Sequence, residues 1–271
     1  PDNASKAKHW DEGARTIISG LISHIIGSPK FDRPTLPEIR DLINQMPEDQ
    51  DRLWAEMSQN NGGGGYAKDA AMRYIRGSDT NEILNIMSNA DKHTEWLSSK
   101  AMRGVVSNPT FKLSALKEKP TTVYLIIPPR QIKRQSRLLR LFVNLMIDTI
   151  EHGGKSKTPV LMILDEFQNL GVMPEIEDAF ATMASYNLVL WPFVQNLAKL
   201  KKDYGSIDTF IANARAVQVF GISDPDTKEY ISKRMGNRPL NALGDVARSN
   251  ENLPLRTPDD IEKDVNKDSG R

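Results

Sequence analysis

Residues 158–167 are Thr-Pro-Val-Leu-Met-Ile-Leu-Asp-Glu-Phe. Five apolar residues in a row, followed at once by Asp165 and Glu166, predict a buried strand that delivers two carboxylates to its carboxyl end. In nucleotide-hydrolysing α/β proteins the first acid holds the water shell of Mg²⁺, and the second orients or deprotonates the attacking water. The pattern is that of a Walker B strand. The same acids could instead cap a following helix. A second apolar stretch, residues 188–194, ends beside Gln195. A glutamine there can sense a γ-phosphate or hold the lytic water; it could equally be a helix N-cap or a solvated amide. The usual partner of such a constellation is missing, because no G-x-x-x-x-G-K-[ST] phosphate loop occurs in the 271 residues.

Other residues carry weaker chemistry. Arg130, Lys133, Arg134, Arg137 and Arg140 lie close together, and on a helix 133, 137 and 140 share one face. Lys199, Lys201 and Lys202 form a smaller group. Either cluster could touch DNA phosphates or be a solvated, salt-bridging helix face. The solvated reading is favoured, since no aromatic residues for base stacking are interleaved. The glycine run at 62–65 has no strand before it and no GK[ST] after it, and is expected to be a flexible loop.

Composition bounds the remainder. A chain of 271 residues, 39% hydrophobic, can bury one sizeable core or two smaller ones. A net charge of +1 provides no global basic field, so any nucleic-acid contact must be local. The absence of cysteine excludes disulfides and thiolate metal sites and fits a reducing compartment. His9, His24, His93 and His152 show no metal-ligand spacing. No stretch approaches the roughly 18 uninterrupted apolar residues of a membrane span, and no signal peptide is visible, so a soluble chain is expected. Trp10, Trp54 and Trp96 are expected to anchor helix packing.

The elements that must position the acids fall into two textures. From about 10 to 108 the pattern is helical. Ala14, Ile17, Ile18, Leu21, Ile22, Ile25 and Ile26 form a wide apolar stripe that Gly27-Ser28-Pro29 ends. Further helices are expected at 36–46, with Pro37 in the first turn, at 48–59, at 66–76, and from Asp79 or Thr80 through Met102. The second half alternates strands at 121–127, 160–164, 188–194 and 216–222 with helices at 136–150, 174–184, 197–204, 207–212 and 225–235. That alternation predicts a parallel sheet covered on both faces. Beyond Pro239 the chain turns polar, with some order at 253–263 and a tail in the last eight residues.

These residues also carry a resemblance. The sequence LDEF-x-N-L-G, closely followed by Pro174, leads into a helix and a strand ending in Gln195. Then come L-x-x-L-x-x-x-YG and DP-x-T-x-x-YIS-x-x-x-G at 224–236. Together with TTVYLIIPP, RLLRLFVNL and the opening W-x-x-x-A-x-x-I-x-x-L-I, this looks like the TraG-type type IV coupling proteins, hexameric inner-membrane ATPases of conjugation and type IV secretion. The resemblance covers roughly residues 10–240 and, weakly, LPLRTPDDI.

It implies an α/β chain: an all-α, substrate- or adaptor-recruiting domain at 10–108, the Walker B half of a RecA-like nucleotide-binding domain at 109–240 with a mostly parallel sheet, and a polar C-terminal extension at 241–271. It also implies catalytic roles for Asp165, Glu166 and Gln195, with ATP and Mg²⁺ as cofactors and Asp165 holding the metal through water. Implied partners are relaxase-bound DNA or effector adaptors, other channel subunits, and further copies in a homo-hexamer. The implied location is the cytoplasmic part of a bacterial inner-membrane protein. The phosphate loop would lie upstream of Pro1, so the chain alone is expected to be inactive. The family often places an arginine near the end of the helix after the acids. Here that neighbourhood is Met183-Ala184-Ser185, and Arg215 is either a substitute or a surface residue. A non-hydrolysing binding module, or a degenerate subunit, is the alternative.

Overall fold

A computed structural model describes residues 3–76, 80–152, 154–156, 158–239 and 252–266. The chain forms two compact units, Pro1–Lys112 and Leu113–Arg271.

The first unit is helical. The apolar stripe of the opening helix, α1 (Asn3–Gly27), places Ala14, Ile17, Leu21 and Ile25 in the core. Around it lie α2 (Leu36–Ile43), α3 (Pro47–Gln59), α4 (Tyr66–Arg76) and α5 (Thr80–Thr94). Thr35 and Glu38 form a capping box at the start of α2, satisfying donors that the first helical turn leaves open. Trp54 of α3 is 1% exposed and stacks on Tyr74 of α4 with ring centroids 4.5 Å apart, the packing role expected for it. Gly20 permits the close approach of α1 and α4, since a Cβ there would lie 2.2 Å from the Ala70 Cβ.

Two expectations change here. The long last helix is broken into α5, a 3₁₀ turn (Glu95–Ser98) and α6 (Lys100–Ser107). The Thr94 hydroxyl donates to the carbonyls of Ala90 and Asp91 at 2.9 and 3.1 Å, competing with the helix ladder, and Leu97 turns inward to 2% exposure. Asp79, the other candidate cap, lies outside the described residues. The glycine run is a packed turn instead of a loose loop. Gly63, Gly64 and Gly65 hold φ of 61°, 73° and 86°, and the Ser23 hydroxyl donates to the Gly62 and Gly63 carbonyls at 3.2 and 3.1 Å. A Cβ on Gly63 would fall 2.2 Å from that hydroxyl oxygen, so left-handed backbone and close packing both demand glycine.

The same corner contains a buried titratable group. His24 is 3% exposed, and the Asn60 side-chain amide donates to its Nδ1 at 3.0 Å, which requires that nitrogen to be unprotonated. Burial lowers its pKa below the ordinary 6.5, Glu56 opposes the shift, and Lys30 adds to it. A depressed histidine pKa favours the neutral folded form, while the unfolded chain takes up the proton first. Stability therefore falls as pH drops below about 6.5. Urea midpoints at pH 7.5 and 5.5 should differ more for the wild type than for His24→Gln; equal differences would contradict this.

In the second unit a short helix, α7 (Ala115–Glu118), precedes α8 (Ile132–Glu151). Lys117 closes the end of α8, its Nζ donating to the carbonyls of Ile150, His152 and Gly154 at 3.0, 2.9 and 2.6 Å. Then follow β1 (Val160–Leu164), α9 (Pro174–Thr182), β2 (Leu188–Pro192), α10 (Leu197–Tyr204), α11 (Asp208–Asn213) and α12 (Pro225–Met235). Strands β1 and β2 pair in parallel, Val160 opposite Leu188 and Leu164 opposite Pro192.

Val160, Met162 and Leu164 face a core shared with Val143, Ile147 and Ile150 of α8 and Ile176 of α9. The opposite face is not covered: Leu161 and Ile163 are 51% and 55% exposed, and Val189 and Trp191 are 49% and 41% exposed. Residues 121–127 and 216–222 join no ladder, so two of the four expected strands are absent. Their β-branched and aromatic content fits a pleated surface, but a strand requires a hydrogen-bonding neighbour.

The polar C-terminal stretch holds more structure than expected. Strand β3 (Asn237–Pro239) pairs antiparallel with β4 (Asn252–Pro254), and Thr257 caps α13 (Pro258–Asn266). Helix α13 is tied to α12 by Lys228–Glu262 at 2.7 Å. The expected tail therefore starts inside a helix, and residues 267–271 lie outside the described ones.

Candidate active site

Strand β1 ends with the Leu164 carbonyl accepting from the Phe193 N–H at 3.0 Å, and the Phe167 N–H donates to the Phe193 carbonyl at 3.2 Å. These two bonds extend the pairing of the strands past their ends. They hold the chain after β1 against the chain after β2. Between them sit Asp165 and Glu166, both exposed. Glu166 takes a left-handed conformation, φ 54° and ψ 40°, unusual for a residue with a Cβ. The chain then forms a 3₁₀ turn, Phe167–Leu170. Glu166 makes no side-chain cap bond to that turn, and among the described residues Asp165 Oδ1 accepts only from the adjacent Glu166 N–H, at 3.1 Å.

The left-handed twist lets the next residue drop inward. Phe167 is 1% exposed and lies in an aromatic cluster with Tyr204 and Phe210, centroids 5.9 and 6.1 Å away. Leu170 is also buried, and Met173 fully so. The loop after the turn is fastened by Tyr204, whose hydroxyl accepts from the Met173 N–H at 3.1 Å and donates to the Gly171 carbonyl at 3.4 Å. Burial raises the Tyr204 pKa, which keeps the hydroxyl a donor.

Gln195 sits just beyond β2, and its Nε2 donates to Glu166 Oε2 at 3.2 Å. Thus the two sequence-predicted residues from different strands meet. Gln195 is not the cap of α10. Asn196 is, accepting from the Lys199 N–H at 2.8 Å. Sequence reasoning missed the residues that fix this segment. Gln168, buried, donates from Nε2 to the Asn196 carbonyl at 3.0 Å. The Thr227 hydroxyl accepts from the Leu197 N–H at 3.3 Å and donates to Asp224 Oδ2 at 2.6 Å. Asp224 also caps α12, and its bonds from Thr227 lower its pKa. The DP-x-T run therefore supports the segment that carries Gln195, a role its spacing alone does not disclose.

Arg130 lies in a 3₁₀ turn (Pro129–Gln131), and Lys133, Arg134, Arg137 and Arg140 lie on α8. Arg130, Lys133 and Arg134 are exposed, whereas Arg140 is half-buried and donates to the Leu170 carbonyl at 3.4 Å. Arg140 is thereby engaged in holding the turn after the acids. Arg215 is exposed.

Comparison with known proteins decides the family. The model of the type IV secretory system conjugative DNA transfer family matches residues 1–250. The chain belongs to this family. It is 24% identical to a conjugal transfer protein TraG of Escherichia coli, over 96% of this chain and 46% of that protein. It is 25% identical to protein VirD4 of Agrobacterium fabrum, over 94% of this chain and 40% of that protein. Among solved structures, the bacterial conjugative coupling protein TrwBdeltaN70 shares the fold, with a TM-score of 0.67 at 16% identity over 97% of this chain and 59% of that one. The plasmid coupling protein TrwB in complex with ADP and Mg²⁺ gives a TM-score of 0.64 at 15% identity, over 94% and 62%. The α/β fold expected from the sequence, helices followed by a parallel sheet, agrees with these structures. The chain spans about half the length of the curated relatives it matches. Among the described residues, no helix is long and apolar enough to cross a membrane.

Proposed function

We propose that this chain is the hydrolytic half of a coupling ATPase that recruits relaxase-bound DNA or protein substrates and drives their transfer through a type IV secretion channel. The observation that carries the reading is the meeting of Gln195 with Glu166 beside Asp165, at the carboxyl ends of two paired parallel strands. Family membership and a TrwB structure holding ADP and Mg²⁺ support nucleotide as the ligand. The donor set fits Mg²⁺ as well: two exposed carboxylates offer the hard oxygens that this ion prefers.

In this reading Asp165 holds the water shell of Mg²⁺. When bound, the ion supplies neutralising charge on the phosphate oxygens. Glu166 takes a proton from the attacking water as its oxygen bonds to the terminal phosphorus and the bond to the bridging oxygen breaks. Gln195 orients that water or reports the terminal phosphate to the segment held by Gln168 and Thr227. The phosphate loop is supplied from outside these 271 residues. In a hexamer, a neighbouring subunit supplies an arginine to the site. The helical unit, residues 10–108 in the sequence reading, recruits the relaxosome or an effector adaptor, and the exposed Arg130, Lys133 and Arg134 are available to DNA phosphates.

Replacing Asp165 with Asn in a donor strain should lower conjugative transfer about tenfold or more at unchanged protein level, as loss of a metal-shell partner does. Unchanged transfer would count against the reading.

A further inference from the structure

We propose that Asn169 is a positioning residue for the Glu166 carboxylate, an inference that rests on the role just given to Glu166. Asn169 holds Glu166 at both ends. Its backbone N–H donates to the Glu166 carbonyl at 2.8 Å, and its side-chain Nδ2 donates to Glu166 Oε2 at 3.2 Å. The spacing explains why position 169 can do this. Side chains three residues apart eclipse in a 3₁₀ turn, and Phe167, Gln168 and Leu170 are buried, which leaves 166 and 169 together on the exposed side. An aspartate there would set a second negative charge against Glu166. The asparagine amide donates without adding charge.

The consequence lies in which oxygen is held. Gln195 Nε2 donates to the same Oε2 from the other strand. Two amides therefore converge on one carboxylate oxygen, while Oε1 receives no hydrogen bond from the described residues. An exposed carboxylate with no such partners exchanges its oxygens by rotation. Here the two donors fix the rotation, keep Oε2 occupied, and present Oε1 as the oxygen that takes the proton of the attacking water. The arrangement supplies orientation in advance of the reaction. Asn169 acts through Glu166 alone.

Two measurements test this. The first is made on the chain without nucleotide: the ¹³C carboxyl resonance of Glu166 and the side-chain amide resonance of Gln195, in wild type and in Asn169→Ala. Both should move toward the positions of freely solvated side chains in the variant, and Asn169→Ser, which keeps a short donor, should return them part of the way. The second is steady-state ATP hydrolysis by a polypeptide that joins this chain to a phosphate loop. Loss of one orienting hydrogen bond should lower kcat about tenfold and leave KM within about twofold, since nothing that binds nucleotide is removed. Asn169→Ser should recover part of kcat. Unmoved resonances in Asn169→Ala overturn the proposal. So do moved resonances with an unchanged kcat in a protein that Glu166→Gln inactivates. Full turnover in Glu166→Gln would instead defeat the reading on which the proposal stands.

Discussion

Glu166→Gln, in a polypeptide that joins this chain to a phosphate loop, is expected to reduce ATP turnover by about 10²- to 10⁴-fold, the range that a positioned acid or base contributes. The amide has the size and shape of the carboxylate but cannot take the proton of the attacking water. Nucleotide affinity should hold, because the role proposed for Glu166 is toward the attacking water and not toward the nucleotide. The local fold should hold too. Glu166 is exposed, its left-handed backbone stays anchored by Phe167 and by the bond from the Asn169 N–H to its carbonyl, and glutamine demands nothing new of it. A variant with near-wild-type turnover would remove Glu166 from the chemistry. Stopped-flow phosphate release, with nucleotide affinity measured by titration, separates the two terms.

The second large effect is structural. Phe167→Ala should destabilise the second unit by about 3–5 kcal/mol, the range for deleting a buried aromatic ring. Its ring is 1% exposed, stacks on Tyr204 and meets Phe210 edge-on, so truncation opens a cavity in the aromatic cluster. The cost reaches the site because Phe167 is also the residue whose backbone N–H bridges to Phe193 and so sets the spacing of the two strand ends. Urea unfolding followed by near-ultraviolet circular dichroism should show the earlier transition. A loss below about 1 kcal/mol would mean the cluster collapses without penalty. Phe167→Leu, which keeps most of the volume, should lose less.

These two residues also mark what the sequence discloses. The uninterrupted apolar run Val160–Leu164 with two acids behind it was legible as a strand, although only Val160, Met162 and Leu164 are buried and Leu161 and Ile163 lie on the uncovered face. Gln195 was legible as the end of the neighbouring strand. Helices α4, α10 and α12 could be bounded from their apolar spacing and from breakers such as Gly236. What failed depended on distant partners. Residues 121–127 and 216–222 have strand composition, yet pairing is a property of the neighbour and not of the segment. The glycines at 62–65 resembled a loose linker because nothing local says that the Ser23 hydroxyl will close on them. Thr94 broke a long helix through hydroxyl bonds that periodicity does not register. Asn169, Gln168 and Thr227 escaped notice for a similar reason. Each acts through hydrogen bonds whose partners are set by the turn itself or by a segment some thirty residues away.

Asp165, Glu166 and Gln195 are thus read as one side of a divided site, assembled and held in place by this chain but lacking the loop that grips phosphate. The most direct measurement is ATP turnover by the 271-residue chain alone, with Mg²⁺ present. No turnover above background is expected, in the wild type and in Glu166→Gln alike. Turnover by the chain alone that Glu166→Gln abolishes would contradict that expectation.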